Sequence, residues 1–95
     1  MIFNYSRHAV SRMAQRKIDA QEVEAAILGG TIIKHYPEDT PYPSSLVIGV
    51  SAIGVLHVVY SKYESAAEVE YLVITVYRPD SKDWDEAFTT RRKRS

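Results

Sequence analysis

Tyr71-Leu72-Val73-Ile74-Thr75-Val76-Tyr77 is the most strand-prone stretch of the chain, and the fold is read outward from it. All but one of its residues are β-branched or aromatic, the types that fit a pleated, half-buried surface. Leu72, Ile74 and Val76 alternate with Tyr71, Val73, Thr75 and Tyr77, so the strand is apolar on both faces. A sheet built from such strands needs a cover on each side. Pro79-Asp80 stops the strand.

Working back from Tyr71, Lys62–Glu70 reads as an acidic loop, and Val55–Tyr60, Leu46–Val50 and Thr31–Tyr36 as strands. Ala52-Ile53-Gly54 fits a hairpin turn, and Pro37–Ser44 is a turn region in which Pro41 and Pro43 exclude regular structure. Further back the periodicity becomes helical. Ser6 is an N-cap for a helix over residues 7–16, with Ala9, Val10, Met13 and Ala14 on one side. His8, Ser11, Arg12, Gln15 and Arg16 fall on the other side. Asp19 opens a second helix with an Asp-x-x-Glu capping pattern ending at Glu22. Val23, Ala26 and Ile27 form its buried stripe, and Gly29-Gly30 ends it through a left-handed cap. Met1–Tyr5 forms a short lead strand. Past Pro79, Trp84 and Phe88 stand at i, i+4 on a short C-terminal helix.

The expected architecture is α+β: an N-terminal helical hairpin packed on a small antiparallel sheet of about four strands, then a short helix or tail. The hairpin covers one sheet face. The other is left to the Trp84–Phe88 segment, a second copy of the chain or a partner.

The chain has 95 residues, 45% hydrophobic and 25% charged, and reads as one domain over residues 1–95 with a basic tail from about residue 90. It has no cysteine, which fits a reducing compartment and excludes a thiolate metal site. No apolar run approaches the roughly 18 residues of a membrane span, and the N-terminus lacks the apolar core of a signal peptide. A cytoplasmic protein is expected. The net charge is zero but unevenly placed. Arg7, Arg12, Arg16 and Lys17 open the chain without an acid among them, Arg91-Arg92-Lys93-Arg94 close it, and every acid lies between Asp19 and Glu86. Two basic ends can present local phosphate-binding surfaces on a neutral chain.

His8, Arg12 and Arg16, at i, i+4 and i+8, line one side of the first helix. Guanidinium groups grip phosphate oxygens bidentately. The helix dipole disfavours the protonated form of His8 in the first turn. His57 sits in an otherwise apolar strand, Val55-Leu56-His57-Val58-Val59, where an imidazole needs a partner. It is either a general acid or base or a hydrogen-bonded core residue. Parity sets His57 with Val59, and Thr75 with Tyr77, but the register between the two strands is open. Tyr77-Arg78 adds a hydroxyl and a charge at a strand end, and His35 reads as surface. Three scattered histidines give no zinc spacing. No phosphate loop, nucleophile elbow or carboxylate pair is present.

His8-Ala9-Val10-Ser11-Arg12-Met13-Ala14-Gln15-Arg16-Lys17-Ile18 matches the pattern His-Ala-x-x-Arg-Met-x-x-Arg-x-Ile. Tyr36-Pro37, Leu56-His57-Val58-Val59, Ile74-Thr75-Val76-Tyr77-Arg78-Pro79-Asp80, Trp84 and Arg91-Arg92 follow in order. On these residues the chain resembles the bacterial family known as domain of unknown function 4258. The resemblance implies a fold similar to the RelE/ParE-like toxins, many of which cut RNA without a metal and are held by an antitoxin. It casts His8, His57 and Tyr77 as catalytic residues, and Arg12, Arg16, Arg78, Arg91 and Arg92 as RNA-binding residues. RNA and an antitoxin protein are then the expected partners, with no cofactor or metal. The low net charge departs from strongly basic ribosome-dependent toxins. The other reading is a non-catalytic interaction module that dimerises or binds a protein through its sheet. In that case Arg12 pairs with an acid such as Glu22 or Glu70.

Overall fold

The computed structural model describes residues 1–40, 42–80, 82–85 and 87–90; Pro41, Arg91 and Arg92 lie outside the described residues. The elements run β1 (Ile2–Tyr5), α1 (Arg7–Arg16), α2 (Ala20–Gly29), β2 (Thr31–Tyr36), β3 (Ser44–Ser51), β4 (Gly54–Glu64) and β5 (Val69–Tyr77). They form one sheet in the order β1-β5-β4-β3-β2. β2 to β5 pair antiparallel with their neighbours, and β1 pairs parallel with β5.

The four-stranded antiparallel, RelE/ParE-like arrangement expected from the sequence is therefore corrected to a five-stranded mixed sheet. The fifth strand is the short lead strand. Its four residues alternate between partly buried and exposed, but nothing local names a partner at the far end of the chain. The helical hairpin is corrected as well. α1 packs on β5 and α2 on β3 and β4, so each helix is held chiefly by the sheet rather than by the other. The acidic loop shrinks too, because β4 runs on to Glu64 and β5 starts at Val69. Lys62 and Glu64 in that extension form an exposed ion pair.

One sheet face packs under the helices. Ala9, Ile18, Val23, Ala26 and Ile27 meet Val47, Leu56, Val58, Tyr60, Tyr71, Val73 and Val76 in a single buried cluster. Strict alternation would place Val73 and Val76 on opposite faces. A register shift between Val59 and Tyr60 makes Tyr60 face Val73 while Val59 faces Thr75, and this puts both valines under the helices. Ser6 docks at the same irregularity. Its hydroxyl accepts from the Ala9 N–H at 3.0 Å as the N-cap and donates to the Ile74 carbonyl at 2.7 Å. α1 is rolled about its axis relative to the expected division. Val10 is 54% exposed and Ala14 is also exposed, while Arg12 is half-buried.

The turn between the helices is made by Lys17 in the left-handed region, φ 54°. α2 ends differently from the left-handed cap expected of Gly29-Gly30, because Gly30 is extended. Glycine is needed there for space. A Cβ on Gly30 would lie 2.4 Å from the carbonyl oxygens of Ala26 and Ile48, and one on Gly49 would lie 2.6 Å from the Ala26 Cβ. The two glycines let α2 lie directly on β3.

Gly30→Ala is expected to lower the unfolding free energy by about 1–3 kcal/mol, the range for forced overpacking, as read by urea denaturation. A second test uses Tyr5, whose hydroxyl donates to Glu24 of α2 at 2.5 Å. Burial, and then the bond to Glu24, raise its pKa above the ordinary phenol value. The folded chain thus holds this proton more tightly than the unfolded chain. The contribution is complete below the ordinary phenol pKa of about 10 and fades as pH rises through and beyond it. Urea midpoints at neutral and alkaline pH should fall less between the two conditions for Tyr5→Phe than for the wild type.

Candidate functional site

The two groups of candidate residues lie on opposite sides of the sheet. α1 carries the first group. Arg7, His8, Arg16 and Lys17 are exposed and Arg12 is half-buried, with Ser11 and Gln15 exposed among them. Ala9 and Met13 anchor the helix from its other side. Among the described residues no carboxylate lies in ion-pair range of these cations, whereas Lys62 and Arg78 are both paired. The positive charge of α1 therefore faces solvent largely uncompensated.

His57 lies on the far face. It faces Tyr77 across the β4–β5 ladder and Ile48 across the β3–β4 ladder, which settles the register that the sequence leaves open. Its side chain is fully buried. The Nε2 atom lies 2.7 Å from the Phe88 carbonyl oxygen and Nδ1 lies 3.2 Å from the Tyr77 hydroxyl. A carbonyl only accepts, so Nε2–H donates to Phe88. Nδ1 is within hydrogen-bond reach of the Tyr77 hydroxyl. Trp84 closes the top with its ring edge-on, 4.4 Å between centroids at 89°.

The described residues after β5 make this cover through turns in place of the expected short helix. Asp80 organises a turn, its side chain accepting from the Lys82 N–H and its carbonyl from the N–H groups of Asp83 and Trp84. Asp85 holds the next turn by accepting from the N–H groups of Phe88 and Thr89. Phe88 sits at φ 58°, an uncommon conformation for a bulky residue, and aims its carbonyl at His57. Trp84 and Phe88 thus meet at His57 through a ring and a backbone oxygen, in place of the i, i+4 side-chain contact expected on a helix.

Arg78 joins neither group. Its guanidinium donates to both carboxylate oxygens of Glu22, at 2.8 and 2.9 Å, and to the Val55 carbonyl at 3.3 Å. The bond to Glu22 raises the already high Arg78 pKa. Glu22, foreseen as a cap residue or a partner for Arg12, is the acid of this clamp between α2 and the end of β5. His35, on the β2 edge, bonds to the Ser45 hydroxyl.

Two cavities among the described residues bear on the site. One, of about 390 Å³, runs between α2 and the β3–β4 hairpin, past Ala25, Gly29, Val50 and Ile53. The other, of about 260 Å³, lies above the far face and is lined by Ile33, Lys34, Tyr36, Leu46, Tyr77, Trp84, Thr89 and Thr90. Of these eight, Tyr36, Tyr77 and Trp84 belong to the motifs singled out in the sequence. The rest come together through the bulge near Ile33 in β2 and the turn at Asp85. Among the described residues no cluster of three or more His, Asp or Glu could hold a metal ion, and no helix is long and apolar enough to cross a membrane.

A family model described as Domain of unknown function (DUF4258) matches residues 5–78. The chain belongs to this family. No curated protein and no solved structure matches it.

His57→Ala should destabilise the fold by about 3–5 kcal/mol, since it opens a cavity and strips a partner from a hydroxyl and a carbonyl. The emission of Trp84, the single tryptophan, should shift to the red as its cover loosens. Unchanged stability and emission would show that the Phe88 and Tyr77 bonds do not hold the segment down.

Proposed function

We propose that this domain binds RNA through α1, with Arg7, Arg12, Arg16 and Lys17 contacting phosphates. The observation that carries this reading is that the cations of α1 and its C-cap, Arg12 and Arg16 in one row with His8, have no carboxylate partner among the described residues. Ser11 and Gln15 lie between them and supply hydrogen bonds suited to 2′-hydroxyls and base edges. A cytoplasmic setting, where RNA is met, goes with this reading.

For metal-independent cleavage, the acid–base group at this face is His8, which is exposed beside Arg12. His57 is sealed on the other side of the sheet with both ring nitrogens engaged, and Arg78 is committed to Glu22. Binding is thus better supported than cleavage. A second reading, a protein-interaction module, draws on the exposed apolar residues Leu28, Val50 and Ile53 near the larger cavity.

Titration of a labelled single-stranded RNA across salt separates the two. Phosphate contacts give a log–log slope of about −0.7 each, so Arg16→Ala and Arg7→Ala should each flatten it by roughly that amount. Strand scission, if seen with chelator present, should vanish in His8→Ala and persist in His57→Gln. Binding that ignores both salt and the arginine variants overturns the proposal and leaves the interaction module.

A further inference from the structure

We propose that the 260 Å³ cavity on the far sheet face is a binding site for a mononucleotide unit, a planar heteroaromatic ring carrying a phosphate. It stands apart from α1 and does not depend on the RNA-binding reading of that helix. The cavity is slightly below the roughly 300 Å³ lower bound of sites for drug-sized ligands, which selects a ligand of about one ring with its substituents. Its walls fit such a ligand. Tyr36, Tyr77 and Trp84 bring three aromatic side chains to the lining, with Leu46 and Ile33 beside them. Stacking of a nucleobase on an aromatic ring contributes about 1–3 kcal/mol.

Two walls are held in place. The Tyr77 ring is fixed by its hydroxyl bond to His57 and by an edge contact with the same imidazole, 5.2 Å between centroids. Trp84 is held by its own edge contact with that imidazole. The buried histidine therefore sets the spacing of two rings that face the cavity. Polar groups share the lining with these rings. The Lys34 ammonium is the cavity's one cation among the described residues, 5.2 Å over the Tyr36 ring. No carboxylate lines the cavity among the described residues, so an anionic group is favoured beside Lys34. Thr89 and Thr90 offer hydroxyls that can donate to or accept from a base edge.

Trp84 supplies the readout. Its indole N–H gives a single resonance in a nitrogen-correlated spectrum of the full chain, since no other tryptophan is present. The four ribonucleoside monophosphates are titrated against this signal, with adenosine and inorganic phosphate as separate arms. At least one monophosphate should shift it saturably, and phosphate alone should not. Lys34→Ala should weaken that binding by about tenfold, the loss of one charge-assisted contact, while leaving adenosine unaffected. Ile33→Phe, which fills the cavity, should abolish the shift while the unfolding midpoint stays near that of the wild type. Arg16→Ala should leave it unchanged. A short oligoribonucleotide that binds more tightly than the monophosphate makes RNA the source of the ligand; equal binding makes it the free nucleotide. No saturable shift with any monophosphate overturns the proposal. So does equal affinity in Lys34→Ala, or retained binding in Ile33→Phe.

Discussion

The central strands β4 and β5 are apolar on both faces, and the rest of the molecule is arranged to keep water from each. The two sides are met by different means. Under α1 and α2 the solution is close packing: glycines at 30 and 49 bring backbone near backbone, and a shifted register turns Val73 and Val76 to the same side. On the far side there is no helix among the described residues. A turn-rich segment crosses the sheet and is fastened by one imidazole, which donates to a backbone carbonyl and bonds to a phenol. The second arrangement is possible because an imidazole has two ring nitrogens, so one buried side chain meets two partners from distant parts of the chain.

Local order was legible in the residues. The span of α1, the N-cap at Ser6, the span of β2 and the turn between β3 and β4 follow from side-chain preferences acting over a few positions. What escaped was long-range. The parallel pairing of β1 leaves no mark in a four-residue strand. The register shift in β5 depends on how β4 lies beside it. The roll of α1 is set by how its small residues seat on β5, so Val10 and Ala14, apolar by type, point outward.

The candidate site was legible in part and for the same reason. The i, i+4, i+8 row on α1 needs only helical geometry, and the structure keeps it as one row. An apolar strand with a histidine in it signals that a partner exists, but it cannot name Phe88, whose contribution is a backbone atom. Arg78 is the clearest case. A cation at a strand end looks available for an anion, yet the anion it meets is Glu22 from α2. Sequence position could not show that β5 ends where α2 begins.

β1 and the start of α1 attach to β5 across almost the full length of the domain, with Ser6 and Ile74 standing 68 residues apart. Closing so long a loop costs entropy before any contact repays it, and non-local pairing of this kind is slow. The antiparallel strands β2 to β5 need no such closure and can assemble hairpin by hairpin. Loop closure on this scale favours an order of sheet first, then β1 and the Ser6 dock. The basic helix is among the last parts to seat, so its cationic face is presented in fixed form only by a chain that has finished folding. A partially assembled chain carries the same charges on a loose segment and lacks the row.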